Sequence, residues 1–397
     1  MAPRFSVVVP FYMGLAHISE CVYSVLHQDF SSLEVIIVDD CSPDGSGKRL
    51  SSMFSEDSRV SIIHRANNGG TLRARRDGVL ASTGDYVLLL DQDDCFVEGA
   101  LSAIDKCLRD AVDNLDIVHF GVSIVAENAM ANDAREGMRR FLTPKPRLLR
   151  GSRILEYQFR ETDGFDWHVH HKVFRGELAR SAWALVEDTP LSLSDDLYVS
   201  FILCSLSTSY LALDNSPWYE YHLGRGETLS GGYSFASFER TCKLDARAMD
   251  LLNLFVRKQC DGLARNDWEM RLSDVRDRLI EHVMNELNDN LSAKYKSRAV
   301  RCALAMWPAD AVAGELWRFV RDRAYCLFDR GLFPDAGDEL GLLVRRARNA
   351  DRLVVGDGSD RYQSMREAAH RHLRDLVSLA TPRQKVFSKL FMRWMYE

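Results

Sequence analysis

The stretch Tyr86–Phe96, YVLLLDQDDCF, passes from an unbroken apolar run into four residues of which three are aspartates. A short run that is apolar on both faces reads as a buried strand of a parallel sheet. The carboxylates Asp91, Asp93 and Asp94 therefore stand at a strand exit, where mutual repulsion is costly unless something offsets it. Two readings are open from the residues alone. One is a hard divalent cation held by an Asp-x-Asp pair together with the oxygens of a phosphorylated ligand. The other is turn and helix-cap chemistry, with Asp94 capping the helix near Glu98.

Working outward, the same texture recurs. Phe5–Tyr12 (FSVVVPFY), Leu33–Asp40 (LEVIIVDD), RVSIIHR from Arg59 and Leu115–Val125 (LDIVHFGVSIV) read as further strands. Helical spacing appears between them, in HISECVYSVLHQ from His17, TLRARRDGVLAS from Thr71 and VEGALSAIDKCL from Val97. Alternating strands and helices imply an α/β fold, a mostly parallel sheet covered by helices on both faces. Right-handed crossovers then put Asp39, Asp40, Asp91, Asp93 and Asp94 along one edge, where open α/β sheets bind ligands. The polar segment Ala126–Arg140 reads as a surface loop or irregular insertion. From about Phe238 onward only helical periodicity is seen, so residues 1–235 are expected to form the α/β domain and 236–397 an α-helical C-terminal domain or extension.

Composition narrows the function classes. The chain has 397 residues, long enough for two domains, and a formal net charge of -6, which argues against a general nucleic-acid binder. Nine cysteines, an odd number never spaced C-x-x-C, suit reduced thiols in a cytoplasmic protein better than disulfides or a zinc cluster. No run is apolar enough to cross a bilayer. A nicotinamide dehydrogenase is disfavoured because no G-x-G-x-x-G follows the first strand.

The ordered series SVVVPFY, EVIIVDDCSPDGS and NNGGTLRARRDGVLASTGDYVLLLDQDD resembles the family 2 glycosyltransferases, which have the GT-A fold. The resemblance implies a nucleotide-diphosphate-sugar donor, a UDP-sugar first among them, and Mn²⁺ or Mg²⁺ as cofactor. By it, Pro10 and Tyr12 border the nucleoside, Asp40 accepts from the base edge, Arg75 lies near the donor, Asp91 helps hold the ribose and metal, and Asp93 is the principal metal ligand. Arg76-Asp77 stands where the family commonly has Asn and a small residue. An inverting transfer needs a base for the acceptor hydroxyl. The family's acidic pair before an apolar helix matches Asp195-Asp196-Leu197, with Asp196 the base and Asp195 in support; an N-cap at Ser194 or Asp195 is the plainer reading. Glu187-Asp188 is a rival pair, ranked second because Thr-Pro follows it.

Two more segments carry the resemblance. WHVHHKVFRGEL (Trp167–Leu178) offers Lys172 and Arg175 on the acceptor side, although its Trp-to-Lys interval is longer than the family's. On a strand His168 and His170 would share a face and invite zinc, but spacing signals no third ligand. WYEYHLGRGETLS (Trp218–Ser230) places His222 and Arg225 where a loop closes over a diphosphate; alternatively Tyr219 and Tyr221 are simply core residues. The acceptor expected is a saccharide or lipid-linked saccharide of cell-surface polysaccharide synthesis. The final helix, with Lys385, Lys389 and Arg393 at i, i+4 and i+8, is expected either to dock on the helical domain or to lie on the inner face of the plasma membrane. The alternative from another class is a non-catalytic nucleotide-sugar-binding or scaffolding protein on the same fold.

Overall fold

A computed structural model describes residues 2–160, 164–226, 233–259, 265–334 and 338–379. The chain divides into two compact units: residues 1–232 with 247–274, and residues 233–246 with 275–397. The boundary thus differs from a single cut near residue 235.

The first unit is built in the order β1 (Phe5–Phe11), α1 (Ile18–Leu26), β2 (Leu33–Asp39), α2 (Ser46–Met53), β3 (Val60–His64), α3 (Thr71–Ala81), β4 (Tyr86–Leu89), β5 (Cys95–Phe96), α4 (Ala100–Asp110), β6 (Ile117–Ala126), α5 (Ala129–Leu142), β7 (Arg147–Arg150), α6 (Arg153–Gln158), β8 (Lys172–Arg175), α7 (Gly176–Ala184), α8 (Asp195–Leu206) and β9 (Ser209–Leu223). The strands pair in the order β3-β2-β1-β4-β8-β6-β9-β5, with β7 on the free part of β9. β1, β2, β3 and β4 are mutually parallel, and β6 and β9 are parallel to each other. β8 enters antiparallel between β4 and β6, so all six of those strands run the same way. Both sheet faces are covered, as period-2 burial requires. Phe5, Val7, Val9 and Phe11 of β1 join Ile18, Val22 and Val25 of α1 and Leu101 and Ile104 of α4 in one core. Val8 points the other way, where α3 comes so close that a Cβ at Gly78 would overlap it.

Two expectations are corrected here. The segment after Ala126 is not a loop but the helix α5. The Asn128 side chain accepts from Ala131 N at 2.8 Å and starts it, and Ala131 and Leu142 are buried. Residues 247–274, expected in the helical region, belong to the first unit, because the rings of Phe255 and Trp268 pack on Phe201 of α8.

Beyond β9, α9 (Phe235–Gln259), α10 (Arg265–Asn285), α11 (Ala293–Met306), α12 (Ala309–Asp329), α13 (Leu340–Asp351) and α14 (Asp360–Ser378) follow, with a π-helical turn over Glu286–Asn290. The second unit buries Leu316, Trp317 and Val320 of α12 against apolar residues of α13 and α14 such as Val344 and Leu373. Its one deeply buried glutamate, among the described residues, is Glu315, and it is neutralised by Arg318 Nε at 2.6 Å and Arg361 Nη2 at 3.0 Å. No described helix is long and apolar enough to cross a membrane. The basic segment around Lys385, Lys389 and Arg393 lies outside the described residues.

The Asn128 cap gives a local test. Asn128→Ala removes about 1 kcal/mol from α5, so amide hydrogen exchange across residues 129–142 should quicken about fivefold while that of β1 and β2 is unchanged. Unchanged exchange in α5 would show that packing alone sets the helix.

Candidate active site

The loops that leave β1, β2 and β4 meet at one edge of the sheet. Three residues other than glycine hold positive φ in the described backbone, and all lie there: Met13 (φ 55) after β1, Cys41 (φ 61) after β2 and Ser194 (φ 59) before α8. Strained backbone of this kind persists only where surrounding contacts over-determine it, and it gathers at functional sites. The contacts are visible. Gln92 accepts from Tyr12 N at 2.9 Å and donates to Tyr12 O at 3.3 Å, while Met13 N donates to Ser42 Oγ. Tyr12 itself is exposed and Pro10 half-buried, so the β1 loop presents a ring to solvent from a fixed backbone.

Asp39 and Asp40 finish β2 and are both buried. Asp39 accepts from Ser42 N and faces His64 Nδ1 at 3.0 Å, tying β2 to β3. Asp40 accepts from Gly69 N at 2.8 Å and Gly70 N at 2.7 Å and lies 3.3 Å from Arg65 Nε. Gly70 sits at φ +81, which a side chain would strain. Asp40 is thus first the anchor of the loop that opens α3; any bond to a base edge would fall on an oxygen already accepting from the chain.

Arg75 of α3 is the centre of the site. Its guanidinium is buried and donates from Nη2 to Asp91 Oδ1 at 2.7 Å, and from Nη1 to Asp195 Oδ2 at 3.3 Å and to Asp196 Oδ1. Burial opposes the charge, but Asp196, Asp91 and Asp195 more than offset it and hold the group protonated well above the usual arginine range. Arg75 therefore does not reach out to a ligand, as expected of a donor contact. It joins the aspartates after β4 to those that open α8.

The aspartates after β4 divide their tasks. Asp94 caps no helix, contrary to the plainer expectation. It accepts from Tyr219 Oη and His222 N, both at 2.7 Å, and so fastens the corner to β9; burial, Asp91 and Asp93 push its carboxyl well up. The Asp93 carboxylate has no hydrogen bond or ion pair with another described residue, and burial followed by the charge of Asp91 raises it. The backbone at Gly226 comes so close that a Cβ there would lie 2.6 Å from Asp93 Oδ2. A carboxylate that is poorly solvated, repelled by a like charge and left without a partner suits a hard cation, and both candidate ligands offer oxygen. Asp91 and Asp93 fit a divalent ion.

At α8, Ser194 occupies the N-cap position without a side-chain cap bond, and Asp195 and Asp196 fill the first turn. Asp196 keeps an exposed fraction and accepts from Val169 N at 3.4 Å. Asp195 is more deeply placed. Burial and then Asp196 push it up to about 7, against the pull of Arg75. The rival pair is spent elsewhere: Asp188 pairs with Arg73 at 2.7 Å, and Glu187 with Lys258.

The acceptor-side expectations are corrected. Lys172 is buried, with its ammonium 3.2 Å from Asp166 Oδ1 and donating to His168 O. Asp166, which carries no signal in the sequence, also faces His119 Nε2 at 3.0 Å and His171 Nε2 at 3.1 Å. His168–His171 precede β8 rather than lying on it, so the shared strand face does not form. Arg175 pairs with Asp116 at 2.9 Å, and because β8 is antiparallel it lies opposite Tyr86, at the strand-start edge of the sheet, away from Asp91. On the donor side, His222 is buried with its ring between Glu127 and Glu220, so it offers no free donor contact. Arg225 does border the corner: Nη1 lies 2.8 Å from Glu20 and 3.4 Å from Asp93 O.

With the geometry in place, comparisons identify the class. In solved structures the fold matches Staphylococcus aureus TarS 1–349 in complex with UDP-GlcNAc, with a TM-score of 0.58 and 16% identity, over 93% of this chain and 92% of that one. This is the GT-A fold with a helical C-terminal region. Residues 6–177 match the model described as Glycosyl transferase family 2. The uncharacterized glycosyltransferase EpsJ of Bacillus subtilis is 32% identical over 209 residues, 49% of this chain and 56% of that protein. The GalNAc(5)-diNAcBac-PP-undecaprenol beta-1,3-glucosyltransferase of Campylobacter jejuni is 30% identical over 103 residues, 26% of this chain and 33% of its own. The chain thus spans about half the length of EpsJ, and less of the other relative.

Asp195 supplies a pH test. Its folded pKa lies above the ordinary value of about 4, so the stability it contributes is complete below pH ~4 and lost as pH rises toward 7. The groups facing it are Asp196, Arg75 and Asp91. Asp195→Asn does not titrate, so between pH 4.5 and 7.5 the variant should gain on the parent by on the order of 1–4 kcal/mol, at about 1.4 kcal/mol per pKa unit. A stability difference that is flat across that range, measured by thermal melts, contradicts the assignment.

Proposed function

We propose that the chain is an inverting, metal-dependent glycosyltransferase that moves a sugar from a nucleotide-diphosphate donor, a UDP-sugar, to a saccharide or lipid-linked acceptor. One observation carries this reading. A single buried guanidinium, Arg75, brings the aspartates that follow β4 and the acidic pair that opens α8 to one place, so a donor corner and a base share one site. The support from relatives is of the same kind: TarS is known with UDP-GlcNAc, and the Campylobacter relative acts on a polyprenyl-diphosphate-linked saccharide and makes a beta linkage.

In this reading the exposed ring of Tyr12 and the half-buried Pro10 border the nucleoside, with the loop backbone fixed by Gln92. Asp40 holds the Gly69-Gly70 turn and with it the start of α3. Asp91 and Asp93 would hold Mn²⁺ or Mg²⁺, which offsets charge on the leaving diphosphate when bound. Arg225, beside Asp93, adds a cation at the same corner and stabilises charge that develops on the phosphate. Asp196 takes the proton of the acceptor hydroxyl. The Arg75 guanidinium donates to one of its oxygens, and the Val169 N–H to the other. Asp195, close behind, sets the electrostatics of the pair. Attack from the side opposite the leaving group then gives inversion in one displacement.

Two variants separate the roles. UDP should bind in the presence of Mn²⁺, and Asp93→Ala should lose that metal-dependent affinity; equal binding with and without metal would remove the metal role. Asp196→Ala should keep UDP binding while release of UDP from a UDP-sugar falls at least about 10²-fold, the low end of general-base contributions. A full rate in Asp196→Ala would refute the base assignment, and binding without any turnover in the parent chain would favour a non-catalytic sugar-nucleotide binder.

A further inference from the structure

Next to the donor corner lies a second group of ligating side chains with a different chemical character. Cys95 of β5 stands opposite Glu220 in the antiparallel pair β5–β9, and His222 follows two residues along β9 on the same face. Glu20 of α1 reaches the same spot. Ligand atoms of Glu20, Cys95 and His222 all lie within 4.8 Å of one another, with Cys95 and His222 buried and Glu20 open to solvent. Among the described residues a second such group, His119, Asp166 and His171, already has a cation, the Lys172 ammonium on Asp166. The Cys95 group borders one: Arg225 pairs with Glu20 through Nη1 at 2.8 Å and with Glu127 through Nε at 2.7 Å, which leaves Glu220 facing His222.

The histidine supplies an independent reason to look for a cation. Its Nδ1 lies 2.7 Å from Glu127 Oε1, and its Nε2 lies 3.1 Å from Glu220 Oε1. A neutral imidazole has one N–H, so it can donate to only one of these carboxylates. If Nδ1–H faces Glu127, the Nε2 lone pair confronts Glu220 across a space bordered by a thiol and a second carboxylate. A carboxylate on the far ring nitrogen is how metal-bound histidines are normally oriented. The donor set of one sulfur, one imidazole nitrogen and carboxylate oxygen is the borderline-soft combination of zinc sites, unlike the all-oxygen pair Asp91 and Asp93.

We infer that Glu20, Cys95 and His222 form a binding site for a zinc-class divalent ion, with Glu127 as the carboxylate that orients the histidine and Glu220 as an adjacent oxygen. The thiol proton leaves to solvent as the metal–sulfur bond forms. The ion also relieves the demand of Glu20 on Arg225, which now bonds it at 2.8 Å. It ties α1, β5 and the end of β9 together beside Asp93.

The site does not depend on the transferase reading, and its test is separate. The full chain, freed of metal with chelator, is titrated with cobalt(II) chloride and followed by near-ultraviolet thiolate-to-cobalt charge-transfer absorption. The expected result is one equivalent of thiolate-bound cobalt, displaced by zinc. The band is lost in Cys95→Ser, kept in Asp93→Asn and in Cys41→Ser (an exposed cysteine), and its affinity falls at least about tenfold in Glu20→Gln. Glu20 is exposed, so its variant remains informative if Cys95→Ser fails to fold. No charge-transfer band in the parent chain overturns the inference. A band that survives Cys95→Ser, vanishes with Cys41→Ser, or is indifferent to Glu20→Gln also overturns it. Mn²⁺-dependent UDP binding is measured apart from all of these outcomes.

Discussion

The site depends on one buried cation. Three carboxylates from positions 91, 195 and 196 converge on the Arg75 guanidinium at the sheet edge. Taking that charge out of water is expensive, and such a group stays ionised only with close, well-placed partners. The reverse holds equally: without Arg75, Asp91, Asp195 and Asp196 would stand together unneutralised. The arrangement adds little to stability compared with an apolar core, and its benefit is geometric. It fixes the distance between the donor corner and the acidic pair on α8, which come from distant parts of the chain.

Around this ion cluster the remaining anchors make a rigid frame. Asp40 secures the turn before α3 and so the helix that carries Arg75. Asp94 and Tyr219 secure the other side, joining the β4 exit to β9. Gln92 uses both ends of its amide to fix the backbone of Tyr12. Asp166 with Lys172 braces the segment whose Val169 N–H meets Asp196. Positive φ at Met13, Cys41 and Ser194 is sustained by this frame. Asp93 alone among these carboxylates lacks a partner in the described chain, and that is the property a metal ligand needs.

Much of this was legible in the sequence, and what was not has physical reasons. Runs such as Val7–Val9 and Val35–Val38 read as strands because burial on both faces leaves no polar residue to confuse the period. The aspartates at strand exits followed from topology, and their company with the NNGG turn singled out the family. The resemblance put Lys172 and Arg175 on the acceptor side, where the fold holds neither open. β8 runs against its neighbours, so one residue became buried beside Asp166 and the other was carried to the opposite edge of the sheet. Asp166 and His119 are far apart in the chain and share no motif, so only the fold could join them. In α5, the Asn128 cap was hidden in a polar segment whose buried side, Ala131 and Leu142, is small and sparse. Arg75 was placed near the donor by resemblance, but its bond to α8 joins residues too distant for any local pattern to show.

The central claim is that Arg75 couples the two acidic groups, and a double-mutant cycle measures that coupling directly. Unfolding free energies are compared for the parent chain, Arg75→Met, Asp196→Asn and the double variant. The account predicts that losing Arg75 costs less once Asp196 is neutral, with an interaction energy of at least about 1 kcal/mol, within the range for contacting charges. Effects that add to within about 0.3–0.5 kcal/mol, as for independent sites, would show that the two groups are not joined and would contradict the account.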